Sequence, residues 1–234
     1  MIVVNIQAKV FSKMTETLFN DKKKRSFRGV SAEQRQAERQ QKLLDAGLQC
    51  FGTQGFYHVT VREVCAEAKL TERYFYESFK NSEALLVAVY QGIIKDMQNH
   101  IIHTVLAEPN KEPKVLIKTG LTAFLQYIRQ DVRVARILFI DVPHVRFENT
   151  VLIRDTLSSF NALLQQFGQL LFPNALNSAL NFDLISAGLN GANVHIVTYW
   201  VHSDFAQPFE EVLESCYTLF AALADYLSRQ KTES

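Results

Sequence analysis

Between residues 71 and 80 the sequence sets Glu72, Arg73, Tyr74, Tyr76 and Lys80 side by side on what reads as the outer face of a short helix. Clustered cations and aromatic rings are poor material for an inert surface, and ammonium and guanidinium groups are the natural neutralisers of phosphate. A second cationic group precedes them: Lys22, Lys23, Lys24, Arg25 and Arg28 fall within seven residues and are opposed nearby only by Asp21. A polyanion partner is the expectation for this part of the chain, set against a solvated basic tail with no partner.

Bond-making chemistry is not suggested. The sequence holds no Gly-rich phosphate loop, G-x-S-x-G elbow, H-E-x-x-H pair or comparable carboxylate pair, and its Ser, His and Asp residues are dispersed. Cys50, Cys65 and Cys216 are odd in number and lack C-x-x-C spacing, which argues against a disulfide framework or a cysteine zinc site and fits a reducing cytoplasm. His100 and His103 have an i, i+3 spacing that could grip a metal, but no carboxylate or cysteine completes a set. No enzyme, metal or cofactor is expected.

The composition sets the frame for these residues. The 234 residues are 47% hydrophobic, with nine Gly and five Pro, too few for an all-β chain that turns every ~8–12 residues. The net charge of +1 conceals an asymmetry: residues 1–80 carry 14 Lys+Arg against 9 Asp+Glu, and residues 81–234 carry 11 against 15. The apolar opening MIVVNI lacks a basic n-region and is interrupted by Asn5 and Gln7, so it does not read as a secretory signal; Met14 is an alternative start. Two long uncharged segments, 156–182 and 184–203, contain too many polar side chains to span a bilayer and read as buried helices.

Nine or so helices are needed to place these groups. Ser31 and Gln34 have capping-box spacing before a helix whose apolar face is Leu43, Leu44, Gly47, Leu48 and Phe51, ending at Gly52 and Gly55. Thr60 and Glu63 repeat the capping box before a short helix ending near Ala68, with Val64, Cys65 and Ala68 on its apolar side and Ala66 set where a neighbour crosses. Thr71 caps a third segment running to Phe79, with Phe75 and Phe79 inward. Longer helices are expected over 82–107, 115–130, 132–142, 147–172, 181–201 and 208–229, broken at prolines and capped by residues such as Asp131. A helix of nine residues, a tight turn and a second of similar length form a helix-turn-helix, whose second helix is free to enter a major groove. The expected organisation is all-α: a basic arm over 1–30, a helix-turn-helix domain over 31–80, and a helical bundle over 81–234.

The run from Leu44 to Phe56 (LDAGLQCFGTQGF), then Thr60-Val61-Arg62-Glu63-Val64-Cys65, then Tyr74-Phe75-Tyr76-Glu77-Ser78-Phe79 and Glu83-Ala84-Leu85-Leu86, resembles the tetracycline-repressor (TetR) family of bacterial regulators. The resemblance covers residues ~35–90. It implies a DNA-binding three-helix domain, a helical ligand-binding domain and a homodimer whose two recognition helices meet successive major grooves. On matching positions it assigns Thr60 and Thr71 to phosphates at helix N-termini, Arg73 and Tyr74 to bases, Tyr76 to a phosphate, and Lys22, Lys23, Lys24, Arg25 and Arg28 to a flexible arm, while Phe75 and Phe79 belong to the core. Two positions depart from the pattern. Lys69 stands where the family often has Gly, and Ser82 where it often has Lys, a contact that Lys80 is near enough to replace.

For the acidic bundle the expected tasks are dimerisation and sensing. Gly188, Gly191, Ala192 and His195 on the penultimate helix, with Leu213, Tyr217, Phe220 and Ala224 on the last, form the expected dimer face; the competing reading turns the last stripe to the chain's own core. Candidate pocket residues are His100, His103, Phe124, Tyr127, Asn193, Tyr199 and Trp200, polar or aromatic groups in apolar helices, with His195 a further candidate. The interior offers no charge cluster, so a mainly hydrophobic effector is expected. The function expected is that of a cytoplasmic, ligand-responsive regulator, a repressor binding a palindromic double-stranded operator, with no membrane contact; the alternatives are a helical protein-interaction module or an activator without a small-molecule effector.

Overall fold

The computed structural model describes residues 31–145, 151–172 and 181–230, all of whose regular structure is helical. The chain's basic cluster at 22–28 lies outside the described residues.

Helix α1 (Ala32–Gln54) opens on the expected capping box: the Ser31 N–H donates to Gln34 Oε1 and the Gln34 N–H donates to Ser31 Oγ, both at 3.0 Å. Its buried positions Leu43, Ala46, Gly47, Cys50 and Phe51 follow the i, i+3, i+4, i+7 rule of a helix with one apolar face. Gly55 ends it at φ 89°, a left-handed conformation that suits glycine, and leads into a 3₁₀ turn at Phe56–His58. Helices α2 (Val61–Glu67) and α3 (Glu72–Ser78) follow, and Val64, Phe75 and Phe79 join Leu43 and Phe51 in one core with Leu85 of α4 (Ser82–Ala107). Ala66, expected at the crossing of α2 with its neighbour, is exposed. Ala68 is buried instead, because a helix turns by 100° per residue and places 64, 65 and 68 on one side.

The bundle comprises α5 (Pro113–Gln130), α6 (132–144), α7 (Val151–Leu171), α8 (Phe182–His202) and α9 (Phe209–Gln230), with α5 packed against α4 and α9, and α8 packed on α7 and α9. Helix α5 starts earlier than its apolar pattern suggests, since Pro113 sits in the first turn where its missing N–H costs nothing. Helix α6 begins at Val132–Arg136, passes through a π-helical turn at Ile137–Asp141 and ends at Val142–His144, running past the Pro143 expected to stop it. The wider turn accommodates the ring, and His202 Nε2 lies 3.2 Å from the Phe139 carbonyl, the group that loses a partner at Pro143.

Candidate nucleic-acid interface and ligand cavity

The turn between α2 and α3 determines where the second helix points. The Leu70 N–H donates to the Cys65 carbonyl and the Lys69 N–H to the Ala66 carbonyl, a Schellman closure whose central residue Lys69 is left-handed at φ 54°. The expected departure from glycine therefore falls on a position whose backbone favours glycine. Phe75 and Phe79 anchor α3 from below. On its outer side Arg73 (84% of its side chain exposed), Tyr76 (59%) and Lys80 point away from the core.

Tyr74 is only half exposed, because the Arg39 guanidinium of α1 lies 4.5 Å from its ring centre. Arg73 Nε forms an ion pair with Glu77 at 3.1 Å, an exposed i, i+4 contact that contributes little and leaves the rest of the fork free. With Glu72 and Glu77 alongside Arg73 and Lys80, the outer face of α3 is close to neutral. A polyanion would meet little net charge on this face.

The two threonines differ. Thr60 completes a capping box: its Oγ1 accepts from the Glu63 N–H at 3.3 Å, and Glu63 Oε2 accepts from the Thr60 N–H at 2.7 Å and from the hydroxyl at 2.8 Å. Those bonds, the backbone one foremost, hold the Glu63 carboxyl below its usual range. An anion already sits at the N-terminus of α2. Thr71 has cap geometry but no side-chain cap bond.

One seam of contacts joins this region to α6. Arg133 Nη1 donates to Gln49 Oε1 at 2.6 Å, and Arg133 is itself held by the carboxylate of Asp131, the N-cap of α6, through bonds of 2.7–3.2 Å. The Phe56 N–H donates to Asp141 Oδ2 at 3.3 Å, and Arg136 Nε lies 3.7 Å from the same oxygen. Burial pushes the Asp141 carboxyl up, an effect opposed in part by the Arg136 guanidinium and the Phe56 N–H. A Cβ on Gly52 would stand 2.8 Å from the Arg133 Cα and closer still to its Cβ, so α1 and α6 touch through backbone.

A cavity of about 170 Å³ lies within the bundle, lined from α4, α5, α7, α8 and α9. Six phenylalanines, Phe124, Phe160, Phe167, Phe172, Phe182 and Phe220, form much of its wall, and among the described residues no lining side chain is charged. The polar side chains among them are Ser186, Asn190 and Asn193. The Asn190 amide donates to Asn161 Oδ1 at 2.9 Å and to the Leu157 carbonyl at 3.3 Å. Asn193 Oδ1 is buried without a hydrogen-bond partner among the described residues.

Of the expected pocket residues, Phe124 and Asn193 line this cavity. His100 is exposed and stacks at 5.8 Å on Tyr127; His103 and Tyr199 are exposed as well. Trp200 is not a pocket residue: it is buried against Phe205 and Phe209, with its indole N–H donating to the Gln207 carbonyl at 2.9 Å. The contribution of α7 was missed. Its signal was the spacing Phe160, Leu163, Leu164, Phe167, Leu171 inside the uncharged run, which is an apolar helix face with no other partner assigned.

The expected dimer face divides in two. On α8, Gly188, Gly191 and His195 are exposed and Ala192 half-buried; the space beyond both glycines is open, and Leu184 (70% exposed) and Tyr199 (65%) extend the same side. On α9, Leu213 and Ala224 are buried in the chain's own core, Phe220 lines the cavity, and Tyr217 lies under the Lys118 ammonium. These four therefore do not form an outward stripe. The outward apolar and aromatic residues of α9 include Leu219, Ala222 and Tyr226.

Among the described residues no group of three or more His, Cys, Asp or Glu is placed to hold a metal, and no helix is long and apolar enough to cross a membrane.

Comparison with known proteins connects these features. Residues 43–89 match the family model of bacterial regulatory proteins, tetR family. No curated protein matches the sequence. Solved structures with the same fold include the fatty acid degradation regulator FadR from Bacillus halodurans, 19% identical over 77% of this chain and 93% of that one with a TM-score of 0.64. A TetR-like transcriptional regulator from Rhodococcus sp. RHA1 is 19% identical over 80% and 96%, with a TM-score of 0.58. The regulator FadR from Bacillus subtilis, solved with stearoyl-CoA, is 15% identical over 76% and 96%, with a TM-score of 0.63. At these identities the likeness is one of fold. The helix-turn-helix segment thus matches the tetR family of bacterial regulatory proteins in sequence, and the bundle that follows it shares the fold of these solved structures.

Proposed function

We propose that the chain is a ligand-responsive repressor that binds a palindromic double-stranded operator as a homodimer and is released by a small, mainly hydrophobic effector. The observation that carries this reading is the coexistence, in one chain, of an outward-facing α3 bearing Arg73, Tyr76 and Lys80 and an uncharged apolar cavity in the bundle behind it. Arg73 and Tyr74 act as base readers, Thr71, Tyr76 and Lys80 as phosphate contacts, and Lys22, Lys23, Lys24, Arg25 and Arg28 as an arm along the backbone. Thr60 reaches a phosphate only after Glu63 turns aside, since their hydroxyl and carboxylate are bonded to each other. The arm comprises residues 1–30, the reading domain 31–80 and the sensing and dimerising domain 81–234; the protein works in the cytoplasm.

A dimer fits the exposed side of α8. Leu184, Gly188, Gly191, His195 and Tyr199 form a stripe on which small residues permit close backbone approach and large apolar ones supply area. Asn193, on the same helix, lines the cavity, so occupancy there bears on the element that sets the spacing of the two reading heads. The Bacillus subtilis regulator was solved with stearoyl-CoA, whose acyl chain is a long apolar body, and this supports an effector with an apolar part.

The deciding experiment is selection of bound fragments from a random DNA pool by the full chain. An inverted repeat whose half-site centres lie about one helical turn apart is expected. Recovery of no motif, with no salt-dependent DNA affinity, would transfer the chain to the protein-interaction reading.

A further inference from the structure

The cavity carries information about its occupant beyond being apolar. Of its three polar side chains, Asn190 is already committed to Asn161 and to the Leu157 carbonyl. Asn193, only 7% exposed, carries an Oδ1 with no partner among the described residues. A buried amide oxygen left unsatisfied costs free energy in every state in which it stays so, and a carbonyl oxygen can be satisfied only by a donor.

Resting on the effector-binding reading above, we propose that the cavity takes an uncharged apolar molecule bearing one hydrogen-bond donor, a hydroxyl or N–H, and that Asn193 Oδ1 accepts that bond and selects for it. The wall excludes the charged alternatives. No described lining residue is charged, so an ammonium donor would lose its hydration without a counter-ion. A carboxylate has no proton to give and would set its oxygens against Oδ1. The phenylalanines suit a flat or chain-like apolar body, and Asn193 supplies a directional contact.

Three probes of matched shape test this: 4-hexylphenol, its methyl ether 4-hexylanisole, and 4-hexylbenzoate, each titrated calorimetrically into the full chain and into Asn193→Leu. The wild type should bind the phenol about tenfold more tightly than the ether and the benzoate most weakly. Asn193→Leu should bring the phenol-to-ether ratio close to one while leaving the ether's own affinity little changed. Equal affinities in the wild type, a ratio that survives Asn193→Leu, or failure of all three to bind would each overturn the proposal. The wild-type ratio stands even if the variant fails to fold. Operator release, followed in parallel with DNA obtained by selection, separates the two readings. Selective phenol binding without release leaves this inference standing and removes the effector role. Release by phenol and ether alike does the reverse.

Discussion

Gly52→Ala puts the seam between α1 and α6 to a quantitative test. An alanine inside a helix ordinarily stabilises by up to about 1 kcal/mol relative to glycine. At Gly52 the added Cβ would lie 2.8 Å from the Arg133 Cα, whereas carbon atoms rest ~3.5–4.0 Å apart. The near atoms belong to backbone and Cβ, so no rotamer change relieves the clash, and α1 and α6 must separate by roughly 1 Å. Overpacking of that kind costs about 1–3 kcal/mol, and the separation also strains the Arg133–Gln49 and Phe56–Asp141 hydrogen bonds, each contributing about 1 kcal/mol. After the propensity gain is subtracted, a net destabilisation of about 2–3 kcal/mol is expected. Gly92→Ala supplies the control: Gly92 lies inside α4 with nothing within 4 Å of its Cβ position, so the same change there should stabilise by about 0.5–1 kcal/mol. Urea denaturation of the three proteins, followed by circular dichroism, should order them Gly92→Ala, wild type, Gly52→Ala. A Gly52→Ala midpoint at or above that of the wild type would refute the claim that backbone contact joins α1 to α6.

Other outcomes follow from single residues. Arg73→Ala should weaken operator binding by about 1–3 kcal/mol and relax one operator position, with far less loss on random DNA, whereas Lys80→Ala should weaken both alike and lower the salt slope by about one; gel shifts at several salt concentrations distinguish them. Lys69→Gly should raise stability by about 0.5–1 kcal/mol, since relief of a left-handed side chain exceeds the added freedom of the unfolded chain, and an unchanged urea midpoint would count against strain at that turn. Hydrogen bonds from Arg133 hold the Asp131 carboxyl below its usual range, so its stabilisation is complete above about pH 4 and is lost as pH falls further. Asp131→Asn should therefore flatten the acid limb of a stability-against-pH curve, and parallel curves would exclude the pair. Asp141, whose carboxyl burial pushes up, acts in the opposite sense: its contribution declines as pH rises from the usual carboxylate range to its own raised value.

The helices were legible because their signals are local. Capping boxes at Ser31 and Thr60, the Asp131 cap and a 3.6-residue apolar period are written within a turn or two of the backbone they control. The inward role of Phe75 and Phe79 was legible for the same reason. Partner choice was not. Helix α9 is apolar along two stripes, one through Leu213 and Ala224 and another through Leu219 and Tyr226, and only tertiary packing decides which one faces the chain's own core. Trp200 looked like a pocket residue until Gln207, beyond the end of α8, supplied its hydrogen bond. Phe124 and Asn193 could be named as cavity residues, but the α7 wall opposite them depended on knowing that α7 packs on α8. Glu63 was read as a cap, and its hold on the Thr60 hydroxyl became visible only with the geometry.

The three cysteines narrow the kind of signal to which the protein can answer. Cys50, Cys65 and Cys216 are all buried, and burial raises each thiol above its ordinary value, Cys216 to about 11. Peroxides and disulfides react with thiolate, and these sulfurs are both protonated and walled off at cellular pH. Thiol oxidation therefore has little purchase on this protein, which should form no disulfide in mild peroxide and survive purification without a reducing agent.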